Sequence, residues 1–194
     1  MSAGNELRFF TRDEYETVAA AVDRCIPPFD AHPGGAALGS ARYIDGLLGA
    51  FTYDPPRIWA GGPFSGRAGG EPSFANFTEL SAIETLAWRT RIEGSQGRPE
   101  REFNGPVRGW QDMYRDGLAN LGADFATVNG GEQDRRLDID PAFKHLLYEH
   151  ACEGAYGPPE YGGNPGTEGW QVIQFPGDSQ PRGYTDDEVT RADA

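Results

Sequence analysis

Glycine and proline gather into a few stretches of this chain, and between those stretches the apolar residues recur at helical spacing. That division constrains the fold more than any other feature. The 27 Gly and 15 Pro among 194 residues leave room for a few regular elements joined by long loops. No apolar–polar alternation recurs, and no internal repeat is visible. The expected architecture is mainly α: a loose bundle of about five helices with long, ordered Gly/Pro-rich loops.

The first helix is predicted over 11–26. Thr11 is a good N-cap and Glu14 completes a capping box. Tyr15, Val18, Val22 and Ile26 follow at helical spacing, and Pro27 and Pro28 stop the run. A turn around Pro33–Gly35 leads into a second helix over 36–51, with Leu38, Tyr43, Ile44, Leu47, Leu48 and Phe51 as its apolar face. A third covers 78–93, with Leu80, Ile83, Leu86, Ala87 and Ile92 inward. A fourth spans 106–126 with Val107, Trp110, Tyr114, Leu118, Leu121 and Phe125. Asp140 then N-caps a fifth helix with Pro141 at its first position. Phe143, Leu146, Leu147 and Ala151 form its stripe.

Two long loops remain. Residues 52–73 carry Trp59 and Phe64. The stretch PPEYGGNPGTEGWQVIQFPG, Pro158–Gly177, is too rich in proline and glycine to read as a helix or a good strand. Long loops without regular structure are functional or disordered, and aromatic residues argue for order. The chain is read as one domain over 1–180 with an acidic tail over 181–194, where Asp186, Asp187 and Glu188 form a solvated cluster.

Net charge is −13 and 38% of residues are hydrophobic. The hydrophobic share supports a core, and the charge opposes binding to nucleic acid or to an anionic membrane surface. There is no apolar run long enough for membrane insertion, and MSAGNELRFFTRDE lacks a signal pattern. A cytoplasmic location is expected, with export only if a partner carries the signal. Cys25 and Cys152 form no CxxC pair; they read as buried thiols or as a single bridge.

The densest titratable cluster is HLLYEH, containing His145, Glu149 and His150. His145 and Glu149 share a helix face. The two histidines are five apart rather than four, a rotation of roughly 140°, so a zinc helix is disfavoured and no metal ligand is assigned. A stand-alone metal-dependent enzyme using these three residues remains the alternative class. No GxSxG elbow is present, and GGPFSGR lacks the ending of a phosphate loop. The residues thus assign no catalytic and no cofactor-binding role. Trp59, Phe64, Arg67, Tyr161 and Trp170 have the character of interface anchors, the other reading being that each caps the domain's own core.

Three stretches resemble the small subunit (subunit 3, or gamma subunit) family of gluconate 2-dehydrogenase. They are FFTRDEYETVAAAVDRCIPPFDAHPGGAALGSARYIDGLL, MYRDGLANLGADF, and FKHLLYEHACEGAYGPPEYGGNPGTEGWQVIQFPG, with YGGN…GW the most diagnostic. The resemblance implies a non-catalytic accessory subunit, with no cofactor of its own. Its partner would be a large catalytic subunit of the glucose–methanol–choline (GMC) type that holds FAD. Some complexes of the family add a cytochrome subunit. A transient chaperone for flavoprotein maturation is a further alternative. On this reading the C-terminal loop is either packed against the flavoprotein or a rigid knot that sets the path of the chain. Tyr161 and Trp170 would be anchors, Gly162 and Gly163 would allow close backbone approach, and Asn164 would hold the turn.

Overall fold

A computed structural model describes residues 6–30, 32–61 and 77–176. Seven α-helices occur among them: α1 (Arg12–Cys25), α2 (Ser40–Leu48), α3 (Ala82–Glu93), α4 (Trp110–Leu121), α5 (Gly130–Leu137), α6 (Pro141–Tyr156) and α7 (Glu168–Val172). Two isolated antiparallel bridges, Phe29 with His32 and Gly61 with Thr78, are the only β pairing among the described residues. The mainly helical class agrees with the sequence reading.

The caps follow the sequence. The Glu14 N–H donates to the Thr11 hydroxyl while Glu14 Oε2 accepts the Thr11 N–H at 2.8 Å. Ser81 and Glu84 build a second capping box at the start of α3. Asp140 caps α6 through the Phe143 N–H at 3.0 Å. These contacts join residues three apart, and each satisfies helix donors that would otherwise be unpaired.

The core forms where α1, α2, α4 and α6 meet. Val18, Ala21, Val22, Ile44, Tyr114, Leu147 and Ala151 are inaccessible or nearly so. Helices α2 and α6 approach closely because Gly154 has no side chain: a Cβ there would lie 2.8 Å from both Ser40 Cα and Tyr43 Cβ. The Ser40 hydroxyl uses this closeness to donate to Ala151 O at 2.7 Å. The segment before α1 is fastened to α2 by the buried carboxylate of Asp45, which accepts the backbone N–H groups of Arg8, Phe9 and Phe10 at 2.8–3.0 Å.

Some expectations need correction. Helix α5, which escaped the sequence reading, carries one large apolar residue, Leu137. It is fixed from outside by Arg24, whose guanidinium grips the Asp134 carboxylate through two 2.8 Å bonds. Ile83 is 81% exposed rather than inward. The inner face of α3 runs through Trp88 and Ile92, and Ile83 lies roughly 140° around the helix from Trp88. Val107 precedes α4 and is 40% exposed. The proline–glycine stretch from Pro158 contains the short helix α7 and two 3-10 turns, so it is not purely loop.

Candidate docking site

Asn164 is the centre of the C-terminal segment. It sits in the left-handed region at φ 46°, which asparagine tolerates better than most residues. Its backbone N–H donates to Leu38 O at 2.8 Å, tying the segment to the turn before α2. Its side-chain amide donates to Gly157 O at 2.9 Å, and its side-chain oxygen accepts the Gly169 N–H at 2.8 Å. One fully buried side chain therefore joins the end of α6 to the start of α7.

Close backbone contacts complete this knot. Gly163 and Gly169 lie directly against the carbonyl oxygens of Gly154 and Ala155, with no room for a Cβ at either position. Trp170 is 4% exposed, and its indole N–H donates to Tyr156 O at 2.7 Å. The side chains of Trp170 and Asn164 are thus inside the chain's own fold. Of the two readings of this segment, the geometry favours the knot, and Trp170, read as an anchor or as a cap of the core, is buried against the chain's own backbone. Gly162 takes a left-handed turn conformation at φ 100° beside the knot.

Trp59 and Tyr161 come together although they are about a hundred residues apart in sequence. Trp59 stacks on Phe77 with centroids 4.0 Å apart, and Tyr161 meets both rings edge-on at 5.6 Å. The edge-to-face contacts of Tyr161 are a favoured aromatic arrangement. Trp59 and Tyr161 form one wall of a cavity of about 300 Å³, and Tyr43, Tyr53, Trp88 and Glu153 contribute to the rest. Phe64 and Arg67 lie outside the described residues.

Sequence reasoning missed four of these lining residues as a site. Tyr43 read as core, while Tyr53, Trp88 and Glu153 are ordinary members of a loop or helix. Only the meeting of α2, α3 and α6 puts them together. The Glu153 carboxylate faces the concavity and accepts the Tyr43 hydroxyl at 2.8 Å. Loss of solvent on burial raises the Glu153 pKa, the Tyr43 bond opposes the rise, Glu149 adds to it and the Arg91 charge opposes it. Burial is also the main cause of the raised pKa of Tyr161.

The residues of the HLLYEH cluster diverge. His145 and Glu149 pair on the solvent face at 3.3 Å. His150 points into the core, 2% exposed, with Nδ1 3.1 Å from the Tyr114 hydroxyl oxygen. Burial lowers the pKa of His150 to about 4, so it is neutral at pH 7. Among the described residues no group of three or more His, Cys, Asp or Glu is placed to hold a metal ion. Cys25 and Cys152 are free thiols, and burial pushes Cys25 up to about 11. No helix among the described residues is long and apolar enough to cross a membrane.

Fold and site together define a small helical domain with a glycine-threaded C-terminal knot and an aromatic cavity beside it. The family model for gluconate 2-dehydrogenase subunit 3 matches residues 12–177, and the chain belongs to that family. The family is that of a subunit of a dehydrogenase complex. No curated protein and no solved structure matches this chain.

Proposed function

We propose that this chain is the non-catalytic small subunit of an FAD-dependent sugar or alcohol dehydrogenase or oxidase, bound to a large GMC-type flavoprotein that holds FAD and carries out the oxidation. The observation that carries this reading is the family match over 12–177. The arrangement of the polar residues is consistent with it: His150, Asp45 and Asn164 are engaged in the chain's own packing, and His145, Glu149 and His150 do not converge. The subunit acts by mass action, since a surface that binds only the folded, FAD-loaded partner stabilises that state.

Co-expression with a GMC-type flavoprotein from the same genome tests the proposal. Size-exclusion chromatography with FAD absorbance should show a yellow, active complex containing both chains, and the flavoprotein alone should be insoluble or inactive. A chain that elutes alone while the flavoprotein is fully active without it would overturn the reading. A flavoprotein that needs this chain during synthesis, but stays active after losing it, would instead identify a transient chaperone.

A further inference from the structure

The cavity bounded by Trp59 and Tyr161 continues along α6 into a second concavity of about 560 Å³, and Tyr43, Leu47, Trp88 and Glu153 line both. The second adds Trp110, Tyr148, Arg91 and Glu149. Glu149 and Glu153 are one helical turn apart, so the two carboxylates follow one another along the same trench. The result is a groove with aromatic walls that carries two carboxylates, Glu149 and Glu153, and two guanidinium groups, Arg57 and Arg91.

We propose that this trench seats a cationic side chain, an arginine or lysine, of the dehydrogenase partner, with Glu153 as its counter-ion and the rings of Tyr43 and Trp88 as its walls. The inference rests on the accessory-subunit reading and adds the chemistry of the contact. A cation over aromatic faces is attracted by the ring quadrupole, and an adjacent carboxylate adds direct charge pairing. The Tyr43 hydroxyl fixes the Glu153 carboxylate in place through one oxygen. Among the described residues no cation sits within 4.0 Å of the Glu153 carboxylate, and Arg91, in the same concavity, acts on its charge only at longer range.

Rings of this trench and beside it already receive guanidinium groups of this chain, the Trp88 wall among them. Arg91 lies 5.1 Å from the Trp88 centroid and 5.6 Å from that of Trp110, and Arg8 lies 4.4 Å from that of Tyr53. Arg57 is a cation of the cavity wall itself. Its guanidinium donates to Glu160 O at 3.3 Å and lies 5.1 Å from the Tyr53 centroid, which leaves Glu153 for an incoming charge. The chain's net charge of −13 acts in the same direction, drawing a basic patch of the partner toward this face.

Two measurements decide the matter. The free chain is titrated with Nα-acetyl-arginine amide and, separately, with the citrulline counterpart, which keeps the shape and loses the charge; tryptophan fluorescence reports binding. The arginine probe should bind, the citrulline probe should not, and Glu153→Gln should weaken arginine binding about tenfold. Equal binding of both probes, binding of neither, or binding unchanged in Glu153→Gln overturns the proposal. In the purified complex, Glu153→Gln should weaken association about tenfold at low salt and flatten its salt dependence. A complex as tight as wild type overturns the docking assignment while leaving the accessory reading intact. Failure of the wild-type chains to associate at all counts against the accessory reading, and the probe titration still judges the trench. Circular dichroism establishes that Glu153→Gln is folded.

Discussion

Gly163 rests against the carbonyl of Gly154, backbone on backbone, with no space for a methyl group between them. This contact joins the YGGN segment to the last turns of α6, and Gly154, Ala155, Gly163 and Asn164 are all buried. Gly163→Ala should therefore destabilise the chain by about 3 kcal/mol, because the backbone of one element must move. Gly162→Ala meets nothing within 4 Å and suffers only the strain of its φ of 100°, a cost of about 1 kcal/mol. Chemical denaturation of the two variants side by side checks the contrast. Equal losses would show that the crowding at Gly163 is relieved cheaply.

Asn164→Ala removes both side-chain bonds of the knot and leaves Gly157 O and the Gly169 N–H without those partners. A loss of about 3 kcal/mol is expected, since Gly169 is buried. Trp170 reports the change: its packing against Tyr156 O and Phe175 should loosen, and its fluorescence should shift to the red. Unchanged fluorescence and stability would mean that the knot does not depend on Asn164.

Trp170→Ala and Trp59→Ala should fail in different ways. Trp170 is interior, so its removal should cost about 3–5 kcal/mol of stability and reach the complex only through unfolding. Trp59 is half-buried at the cavity wall. Its removal should weaken association with the flavoprotein by about 2 kcal/mol, with a smaller loss of thermal stability than for Trp170. Thermal melts of the free chain and dissociation constants of the complex separate the two effects.

Asp45→Ala should release the segment 8–10 from α2. Three backbone N–H groups lose their acceptor, one of them buried, and Phe10 loses its hold in the core. The expected cost is about 3 kcal/mol. Hydrogen exchange at the amides of Arg8, Phe9 and Phe10 should accelerate, and unchanged exchange would count against the fastening role.

The buried His150 makes stability depend on pH. Its folded pKa is depressed from 6.5 to about 4 by burial, so the unfolded chain binds the proton more readily. Its contribution, about 3 kcal/mol, is fully present above pH 6.5 and is lost as pH falls toward 4. Glu14 and Glu132 are held low by other forces, Glu132 at about 2 chiefly by Arg135 and Arg136. Their contributions are lost only below about pH 4.5, while Glu153, raised by burial, acts in the opposite sense. Denaturation midpoints between pH 6.5 and 5 should therefore fall in wild type and be nearly flat in His150→Gln.

The sequence by itself determined the helices whose signals are local. Thr11 with Glu14 and Asp140 with Pro141 act within a single turn, and the apolar spacing of α1, α4 and α6 follows from 3.6 residues per turn. It also singled out Trp59, Tyr161 and the YGGN…GW segment. Tertiary structure decided the rest. Helix α5 carries a local start signal in Asn129 and local pairs of Glu132 with Arg135 and Arg136, but it is docked by Arg24, 110 residues away from Asp134, and α7 lies where Gly169 fits against Ala155. The inward face of Trp170, the core position of His150 and the meeting of Tyr43, Trp88 and Glu153 all depend on how helices pack. Helical periodicity says which residues share a face; it does not say which other face they will meet.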